Sequence, residues 1–306
     1  MNQLSSATWK ERSHFFQTIR KFFLEQNYLE VDTPNLVKKP SLEPFLDPYT
    51  LKLEHEQMGV LITSPEFSLK KILSEECPKI FELSHCFRSE EPGPWHSSEF
   101  RMLEWYTLHQ TLEQLIEQCL NLISPLFPNL SHQTFTLEQW FQKHFHHGLD
   151  IHDMQTTLKQ RDCQNIEGMD ETEIFFRLFL PTEHELEKMG IVILRDYPAQ
   201  QCSYSRIKNG TAQRFEIYVN GVEIANAYLE ETRPDVLLKQ LQHEQNERKK
   251  MNKEPFEIDL EFVHALEDIQ VPTCGIALGL DRLFALQQNQ KSIGQVSPYK
   301  NFSHSP

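Results

Sequence analysis

Two glutamates lie on either side of a turn signal in the second half of the chain. The pair Asn220-Gly221 predicts a two-residue β-turn, and counting back from it pairs Tyr218 with Glu223. Glu216 and Glu223 then share one face of the hairpin, within roughly 8 Å of each other. Carboxylates this close repel each other unless a positive charge lies between them, and Mg²⁺ is typically held by one or two carboxylates and the phosphate oxygens of a substrate. The hairpin therefore indicates a magnesium and phosphate site, with a solvated surface as the alternative.

Charged side chains also occupy strand positions where a protein core would have apolar ones. On a strand, alternation places Phe100, Glu104 and Tyr106 on one face. Arg88 and Glu90 share a face at the end of the preceding strand. A core face would carry apolar residues in place of Arg88 and Glu104, so the pattern predicts a concave binding surface with two acids, a cation and two aromatic rings. Surface charge is the alternative for either residue alone.

A third segment combines small residues with an arginine. Gly275, Ala277 and Gly279 alternate along a predicted strand, where small side chains let a ligand approach the backbone closely. Arg282 follows at the junction with a helix, where its guanidinium can reach a phosphate. Taken alone, this glycine spacing is common and indicates little.

The elements that must position these groups alternate between strand pairs and helices. Short turns join the strands within each pair, which favours an antiparallel β-sheet flanked by helices, an α+β fold, over repeated βαβ units. No linker-like segment interrupts the chain, so a single domain over 1–306 is predicted. The predicted elements are helices over 9–27, 66–75 and 235–253, strands over 28–32, 80–87, 99–108 and 191–194, a mainly helical region over 110–180, a hairpin over 214–228, and a strand running into a helix over 272–288.

Composition excludes several classes of protein. The 44 acidic against 30 basic residues give a net charge of −14, which argues against a broad contact with nucleic acid. The six cysteines form no C-x-x-C pair and are predicted to be reduced thiols. No apolar run approaches the roughly 18 residues of a membrane span, and the N-terminus lacks the basic-then-apolar pattern of a secretory signal. A cytoplasmic protein is expected, and the histidine-rich stretch over 143–152 is predicted to be solvated surface rather than a metal site.

Together, the three segments resemble the catalytic motifs of the class II aminoacyl-tRNA synthetases. The sequence over 87–100, with Arg88, His96 and Phe100, resembles motif 2, and the sequence from Gly275 to Arg282 resembles motif 3. The segment over 28–34 is similar to motif 1, the strand of the dimer interface, although a glycine is preferred at the preceding position, where this chain has asparagine. Further segments over 63–66, 102–106 and 214–230 are similar to the lysyl-tRNA synthetase branch.

The start of the chain narrows the resemblance further. Motif 1 begins at Tyr28, which leaves no room before it for the five-stranded anticodon-binding barrel of lysyl-tRNA synthetases. The closest resemblance is to the short paralogues that form the elongation factor P–(R)-β-lysine ligase family. This resemblance implies ATP-dependent adenylation of (R)-β-lysine, or lysine, and its transfer to a lysine of elongation factor P, with Mg²⁺ as a cofactor. It also implies a homodimer, and the acidic charge agrees with a protein acceptor rather than tRNA.

The resemblance assigns roles residue by residue. Arg88 would bind the α-phosphate and Arg282 the γ-phosphate of ATP, while Phe100 would stack on adenine and Glu90 would accept a hydrogen bond from its amino group. Glu66 would meet the amino group of the substrate. The complete assignment is Arg88 and Arg282 as catalytic residues; Ser64, Pro65, Glu66, Glu104, Tyr106, Tyr228, Glu230 and Ala277 as substrate-binding residues; Arg88, Ser89, Glu90, His96, Ser97, Phe100, Glu223, Ile224, Gly279 and Arg282 as ATP-binding residues; and Glu216 and Glu223 as metal-binding residues.

The chain departs from the family pattern in two further places. Ser97-Ser98 replaces a usual Asn-Pro, and Ala227-Tyr228 stands where Gly and Phe are common. Simple alternation along the hairpin also places Glu230 on the opposite face from Glu223. A bulge or turn near Ala227 is therefore required if both are to line one site.

Two other functions remain open from the sequence. The first keeps the catalytic core but charges tRNA or a small amine. The second is a catalytically silent paralogue that senses an amino acid or serves as a partner subunit. A sensor has no need of the triphosphate and magnesium residues, so the presence of Arg88, Glu216, Glu223 and Arg282 argues against it.

Overall fold

The computed structural model describes residues 3–54, 58–89, 93–161, 163 and 165–299. By its internal contacts the chain divides into two compact units. The first unit comprises Met1–Leu126 and Glu230–Pro306, and the second comprises Phe127–Leu229. Each unit is described by itself, and the single domain expected from the sequence stays a prediction.

The helices and strands follow the predicted order. The strands are β1 (Leu29–Glu30), β2 (Leu36–Val37), β3 (Thr50–Lys52), β4 (Met58–Leu61), β5 (Lys79–Phe87), β6 (Glu99–Leu108), β7 (His132–Thr136), β8 (Ile191–Pro198), β9 (Ile207–Lys208), β10 (Thr211–Val219), β11 (Val222–Leu229) and β12 (Thr273–Gly279). The α-helices are α1 (Ser6–Leu24), α2 (Glu66–Ile72), α3 (Leu112–Ile123), α4 (Leu137–Phe145), α5 (Ile151–Gln160), α6 (Glu171–Phe179), α7 (Pro234–Lys250), α8 (Leu260–Ala265) and α9 (Leu280–Gln287).

In the first unit, strands β1, β5, β6 and β12 lie side by side in that order. Strand β1 is parallel to β5, and the β5–β6 and β6–β12 pairs are antiparallel. Helix α1 buries Phe15, Ile19 and Phe23, and the ring of Phe23 stacks on that of Phe81 in β5 at 4.9 Å. The amphipathic helix predicted over 9–27 is thereby confirmed, and its apolar face covers the sheet.

The register of the β6 strand pairs brings several predicted residues together. Glu104 lies opposite Ala277 of β12 and opposite Glu82 of β5. Tyr106 lies opposite Gly275. Because residues that pair across antiparallel strands point to the same face, these side chains share one surface of the first unit.

The second unit orders its strands β11, β10, β8 and β7, with β9 also paired to β10. Helices α4, α5 and α6 contribute a core that includes Trp140, Phe141 and Phe175. The expectation of a mainly helical region over 110–180 is confirmed except for β7, which pairs parallel with β8. The burial pattern of β7 is mostly exposed, so the strand has no apolar alternation that would predict it.

The predicted hairpin is formed by β10 and β11, and Tyr218 pairs with Glu223 as expected. Its register shifts at the next step, where Ile217 pairs with Ala225, so Ile224 is an extra residue in β11. This bulge reverses the alternation that follows it. A bulge was expected near Ala227 if Glu223 and Glu230 are to lie on one face, and it lies three residues earlier.

The α+β class with antiparallel strands flanked by helices is confirmed. Among the helices of the described residues, none has both the length and the apolar character needed to cross a membrane.

Candidate active site

A cluster of buried carboxylates surrounds one ammonium group in the first unit. Glu66 lies in the first turn of α2 and Lys70 one turn later. The Lys70 Nζ is 2.5 Å from Glu66 Oε1 and 2.6 Å from Glu230 Oε2. Glu104, from β6, is fully buried beside them. Three of the acids that the sequence assigned to substrate binding therefore lie together, and they do so around a lysine.

Lys70 is the cation of this cluster, and only 1% of its surface is exposed. Burial alone would lower its pKa, but the charges of Glu230 and Glu66 more than offset that effect and raise the pKa of Lys70 above its ordinary value. The lysine is therefore held in its charged form.

Among the described residues, the side-chain hydrogen bonds to Glu104 come from two neutral hydroxyl groups. The hydroxyl of Ser64 donates to its Oε1 at 2.6 Å, and the hydroxyl of Tyr106 donates to its Oε2 at 2.9 Å. Burial, reinforced by the negative charge of Glu66, raises the pKa of Glu104 to about 8. Among the described residues Glu104 has no ion-pair partner, so an incoming ammonium group would supply its missing counter-charge.

Small residues of β12 border this acidic cluster. A methyl group on Gly275 would lie 2.2 Å from Glu230 Oε1 and 2.2 Å from a ring carbon of Tyr106. The absence of a side chain at Gly275 is therefore required for the close approach of these groups. Ala277 lies opposite Glu104 and is half-buried, as expected for a residue in the wall of the pocket.

A fourth carboxylate, Glu82, was not predicted from the sequence. It lies opposite Glu104 on the neighbouring strand and is 4% exposed. The hydroxyl of Thr33 donates to its Oε2 at 2.8 Å. Burial is the main cause of its raised pKa. Glu82 adds to the acidity of the surface around Glu104.

The start of α2 is built as the sequence suggested. Pro65 precedes the helix as its N-cap residue, and Ser64 Oγ accepts a hydrogen bond from the backbone N–H of Glu66 at 3.1 Å. Ser64 thus connects the backbone of the helix start with the carboxylate of Glu104. This one side chain helps to orient two members of the acidic cluster.

The predicted nucleotide-binding residues of motif 2 also meet in the first unit. The guanidinium of Arg88 lies 5.1 Å from the centre of the Phe100 ring, an arrangement that presents a cation and an aromatic face together. The backbone N–H of Ser89 donates to the carbonyl of Asp47 at 2.7 Å. Glu90, the predicted adenine contact, lies outside the described residues.

Further predicted nucleotide contacts border this group. Ser97 is buried, and its hydroxyl has no hydrogen-bond partner among the described residues. Such an orphaned polar atom fits a bound nucleotide better than a closed core. The Nε of Arg282 donates to the carbonyl of Trp95 at 3.0 Å, while the backbone N–H of His96 donates to that of Gly93 at 3.3 Å. Gly279 is the N-cap residue of α9, three positions before Arg282.

The second unit contains the two hairpin glutamates. Glu216 accepts hydrogen bonds from the hydroxyls of Tyr197 at 2.6 Å and Tyr218 at 2.7 Å, and from the guanidinium of Arg214. The positive charge that the sequence argument required beside these carboxylates is therefore supplied in this structure by Arg214. Burial alone would lower the pKa of Arg214, but Glu216, with a smaller contribution from Glu223, raises it.

Arg214 also contacts Tyr228, one of the residues at which the chain departs from the family pattern. Its guanidinium lies 4.3 Å from the centre of the Tyr197 ring and 5.7 Å from that of Tyr228. It donates to Asn226 Oδ1 at 3.0 Å, and Asn226 in turn donates to the Tyr228 hydroxyl at 2.7 Å. Tyr228 is thus held in a polar network that the more common phenylalanine could not complete.

The donor set of this hairpin is compatible with a metal ion. A carboxylate offers about four lone-pair sites, so three donors leave Glu216 room for a further ligand. Glu223 is partly exposed, and the neighbouring Ile224 is buried at the bulge. Among the described residues no cluster of three or more His, Cys, Asp or Glu side chains could hold a metal by itself. Magnesium binding by Glu216 and Glu223 stays a prediction.

Three functional candidates were missed in the sequence analysis: Lys70, Glu82 and Arg214. For Lys70 a signal existed, because Glu66 and Lys70 are four residues apart on a helix, but such pairs usually lie on the surface. Glu82 lies among apolar residues in the strand predicted over 80–87 and was not assigned a role. Arg214 is adjacent to the predicted carboxylates but was not assigned a role.

Comparisons of the sequence with a family model and with individual proteins point to the same family. The sequence matches the family described as tRNA synthetases class II (D, K and N) over residues 1–303. It is 36% identical to an elongation factor P–(R)-beta-lysine ligase homolog from Aquifex aeolicus, over 89% of this chain and 92% of the relative. Elongation factor P–(R)-beta-lysine ligases from Klebsiella pneumoniae and Edwardsiella ictaluri are 31% and 30% identical, over 95% of this chain and 97% and 94% of the relatives.

Proposed function

Because this chain belongs to the class II tRNA synthetase family, in the branch of the elongation factor P–(R)-β-lysine ligases, we propose that it is an ATP-dependent ligase. It activates (R)-β-lysine, or lysine, and joins it to a lysine side chain of elongation factor P. The names of the relatives support the substrates. The structural observation that carries the proposal is the buried acidic cluster of the first unit.

The charge of this cluster supports a substrate with two ammonium groups. Glu66 and Glu230 pair with the ammonium group of Lys70, Glu104 lies beside Glu66, and Glu82 lies opposite Glu104. All four carboxylates are buried, and among the described residues Lys70 is the one ammonium group that the ion pairs place in this cluster. Buried carboxylates without counter-charges are costly. A lysine-like substrate would supply two positive groups, whereas an amino acid with a neutral side chain would supply one.

The activation step needs positioning rather than a protein nucleophile. A carboxylate oxygen of the amino acid attacks the α-phosphorus of ATP, pyrophosphate leaves, and an aminoacyl-adenylate forms. Arg88 and Arg282 hold the charge of the phosphates, and Phe100 holds the adenine ring. Electrostatic stabilisation and orientation of this kind account for most of the rate enhancement in phosphoryl and nucleotidyl transfer.

Glu216 and Glu223 are the residues that would hold Mg²⁺, which neutralises phosphate charge when it is bound. Arg214 orients Glu216 through its hydrogen bond to the carboxylate. The tyrosines Tyr197 and Tyr218 fix the second oxygen of Glu216. This chain's own residues thus keep the Glu216 carboxylate in one orientation.

The transfer step forms an amide bond. The neutral ε-amine of the acceptor lysine attacks the acyl carbon of the adenylate, AMP leaves, and the amine loses a proton. No protein residue becomes covalently attached to the substrate. The reaction therefore has two halves that are measured separately, pyrophosphate exchange for activation and label transfer for ligation.

The test is a transfer experiment with two competing acceptors. The purified protein is incubated with ATP, Mg²⁺ and radiolabelled (R)-β-lysine or lysine, in the presence of both elongation factor P and tRNA. Label is expected on elongation factor P and is expected to be lost without ATP or in Arg282→Ala. Label on tRNA would identify a tRNA-charging enzyme instead, and amino-acid binding without pyrophosphate exchange would identify a sensor.

We also propose that the enzyme is a cytoplasmic homodimer. The segment that contains β1 resembles the interface strand of the family, and obligate interfaces of this kind typically bury more than about 2,000 Å². Analytical ultracentrifugation at micromolar concentration is expected to show twice the 36.2 kDa chain mass. A single species at the chain mass would contradict the dimer.

A further inference from the structure

Lys70 is a charged side chain inside the acidic cluster to which the proposed reaction assigns no role. Its Nζ contacts carboxylates from two separate parts of the chain, Glu66 at 2.5 Å and Glu230 at 2.6 Å. The same nitrogen lies 5.6 Å from the centre of the Tyr106 ring and 5.9 Å from that of Phe262. Three of these four neighbours, Glu66, Glu230 and Tyr106, are groups that are proposed to bind the substrate.

The two carboxylates depend on this ammonium for their arrangement. Both have an oxygen within hydrogen-bond distance of one nitrogen atom, so without Lys70 they would face each other across a small buried space. Removing one partner of a buried ion pair leaves an uncompensated charge and is strongly unfavourable. Glu66 and Glu230 would then turn away from each other, and this change removes acceptors for a substrate ammonium group.

We infer that Lys70 is a specificity-determining positioning residue, which holds the carboxylates of Glu66 and Glu230 in place so that the pocket selects an amino acid with a second ammonium group. This inference rests on the proposed function, because it assumes a lysine-like substrate. Lys70 does not itself react with the substrate. It acts through the two carboxylates, and its effect falls on the amino acid rather than on ATP.

Two other roles of Lys70 would lead to different changes in ligand binding when the residue is replaced. If Lys70 only stabilised the fold, its loss would affect the binding of ATP, lysine and neutral amino acids alike. If Lys70 competed with the substrate ammonium for Glu66 and Glu230, its loss would improve lysine binding. Measurements with lysine, with norleucine, which has the same carbon chain but lacks the ε-ammonium group, and with ATP therefore distinguish the three roles.

The experiment compares Lys70→Met, Lys70→Arg and the control Lys71→Met by pyrophosphate exchange. Lys71 is the next residue of α2, and its Nζ pairs with Asp259 at 2.5 Å while its side chain is 31% exposed. The control thus removes a neighbouring lysine and its ion pair outside the cluster. The amino acid is (R)-β-lysine or lysine, whichever the unmodified enzyme activates, and norleucine is measured as a competitive inhibitor.

Lys70→Met is expected to raise the KM for the amino acid at least tenfold and by a clearly larger factor than the inhibition constant of norleucine, while the KM for ATP stays within twofold. Lys70→Arg keeps a cation. On a logarithmic scale, its KM for the amino acid is expected to lie at least halfway back from that of Lys70→Met to that of the unmodified enzyme. Lys71→Met is expected to resemble the unmodified enzyme. Thermal unfolding of each variant shows whether it is folded.

Three results would overturn the inference: a lower amino-acid KM in Lys70→Met, equal changes for lysine, norleucine and ATP, or failure of Lys70→Arg to recover activity. If Lys70→Met does not fold, Lys70→Arg is compared with the unmodified enzyme alone. A changed amino-acid KM at constant ATP KM then supports the inference, and equal changes in both overturn it. Absence of exchange in the unmodified enzyme would instead contradict the proposed function.

Discussion

Replacing Gly275 by alanine adds one methyl group at the point where β12 meets the acidic cluster. The new Cβ would lie 2.2 Å from Glu230 Oε1 and 2.2 Å from a ring carbon of Tyr106, far inside van der Waals contact. Glu230 and Tyr106 are both buried, so neither can move into solvent without breaking contacts. Overpacking of this kind typically costs about 1–3 kcal/mol.

The consequence for activity follows from which groups must move. If the strain is relieved by displacing Glu230 or Tyr106, the amino-acid pocket changes and the ATP contacts do not. At about 1.4 kcal/mol per factor of ten, the KM for the amino acid is expected to rise roughly 5- to 150-fold. The KM for ATP is expected to stay within about twofold.

Pyrophosphate exchange and thermal unfolding measure the two effects. Gly168→Ala is the matched control, because a Cβ at Gly168 meets no atom within 4 Å. The control is expected to match the unmodified enzyme in both assays. If Gly275→Ala also leaves the melting temperature and the amino-acid KM unchanged, Glu230 and Tyr106 are not packed against β12 as described, and the reasoning is refuted.

Three further predictions concern the carboxylates and the pocket wall. Glu223→Gln removes one charge from the proposed metal pair at nearly constant shape and should abolish pyrophosphate exchange without unfolding the protein; near-normal exchange across magnesium concentrations would remove Glu223 from the site. Ala277→Gly removes a methyl group beside Glu104 and should raise kcat/KM for lysine relative to (R)-β-lysine by about 10- to 200-fold; an unchanged ratio would mean that Ala277 only packs against the strand. Burial and Glu66 raise the pKa of Glu104 to about 8, so its carboxyl group is mostly protonated at pH 7 and an ammonium ligand should ionise it. Calorimetry in buffers of different ionisation enthalpy should therefore detect a proton released when lysine binds at pH 7, and the release should disappear in Glu104→Gln.

The elements and the main candidate residues could be predicted from local patterns. Periodicity located α1, the strands of motif 2 and the hairpin around Asn220-Gly221, because these elements follow from spacing along the chain. The same alternation indicated that Glu104 and Tyr106 share a face, and the structure confirms this, since their side chains form a hydrogen bond at 2.9 Å. The required bulge was also deduced, although it lies at Ile224.

The partners of these residues were decided only by the tertiary structure. Lys70 and Glu230 are 160 positions apart in the sequence, and only folding brings their charges within 2.6 Å. On a helix, a glutamate and a lysine four residues apart usually form a weak surface pair. Whether such a pair lies in water or in a buried pocket depends on what packs over it, and this packing sets both the dielectric environment and the pKa values of the pair. Local spacing therefore identifies the acids of the site, whereas burial among distant residues determines their charge and orientation.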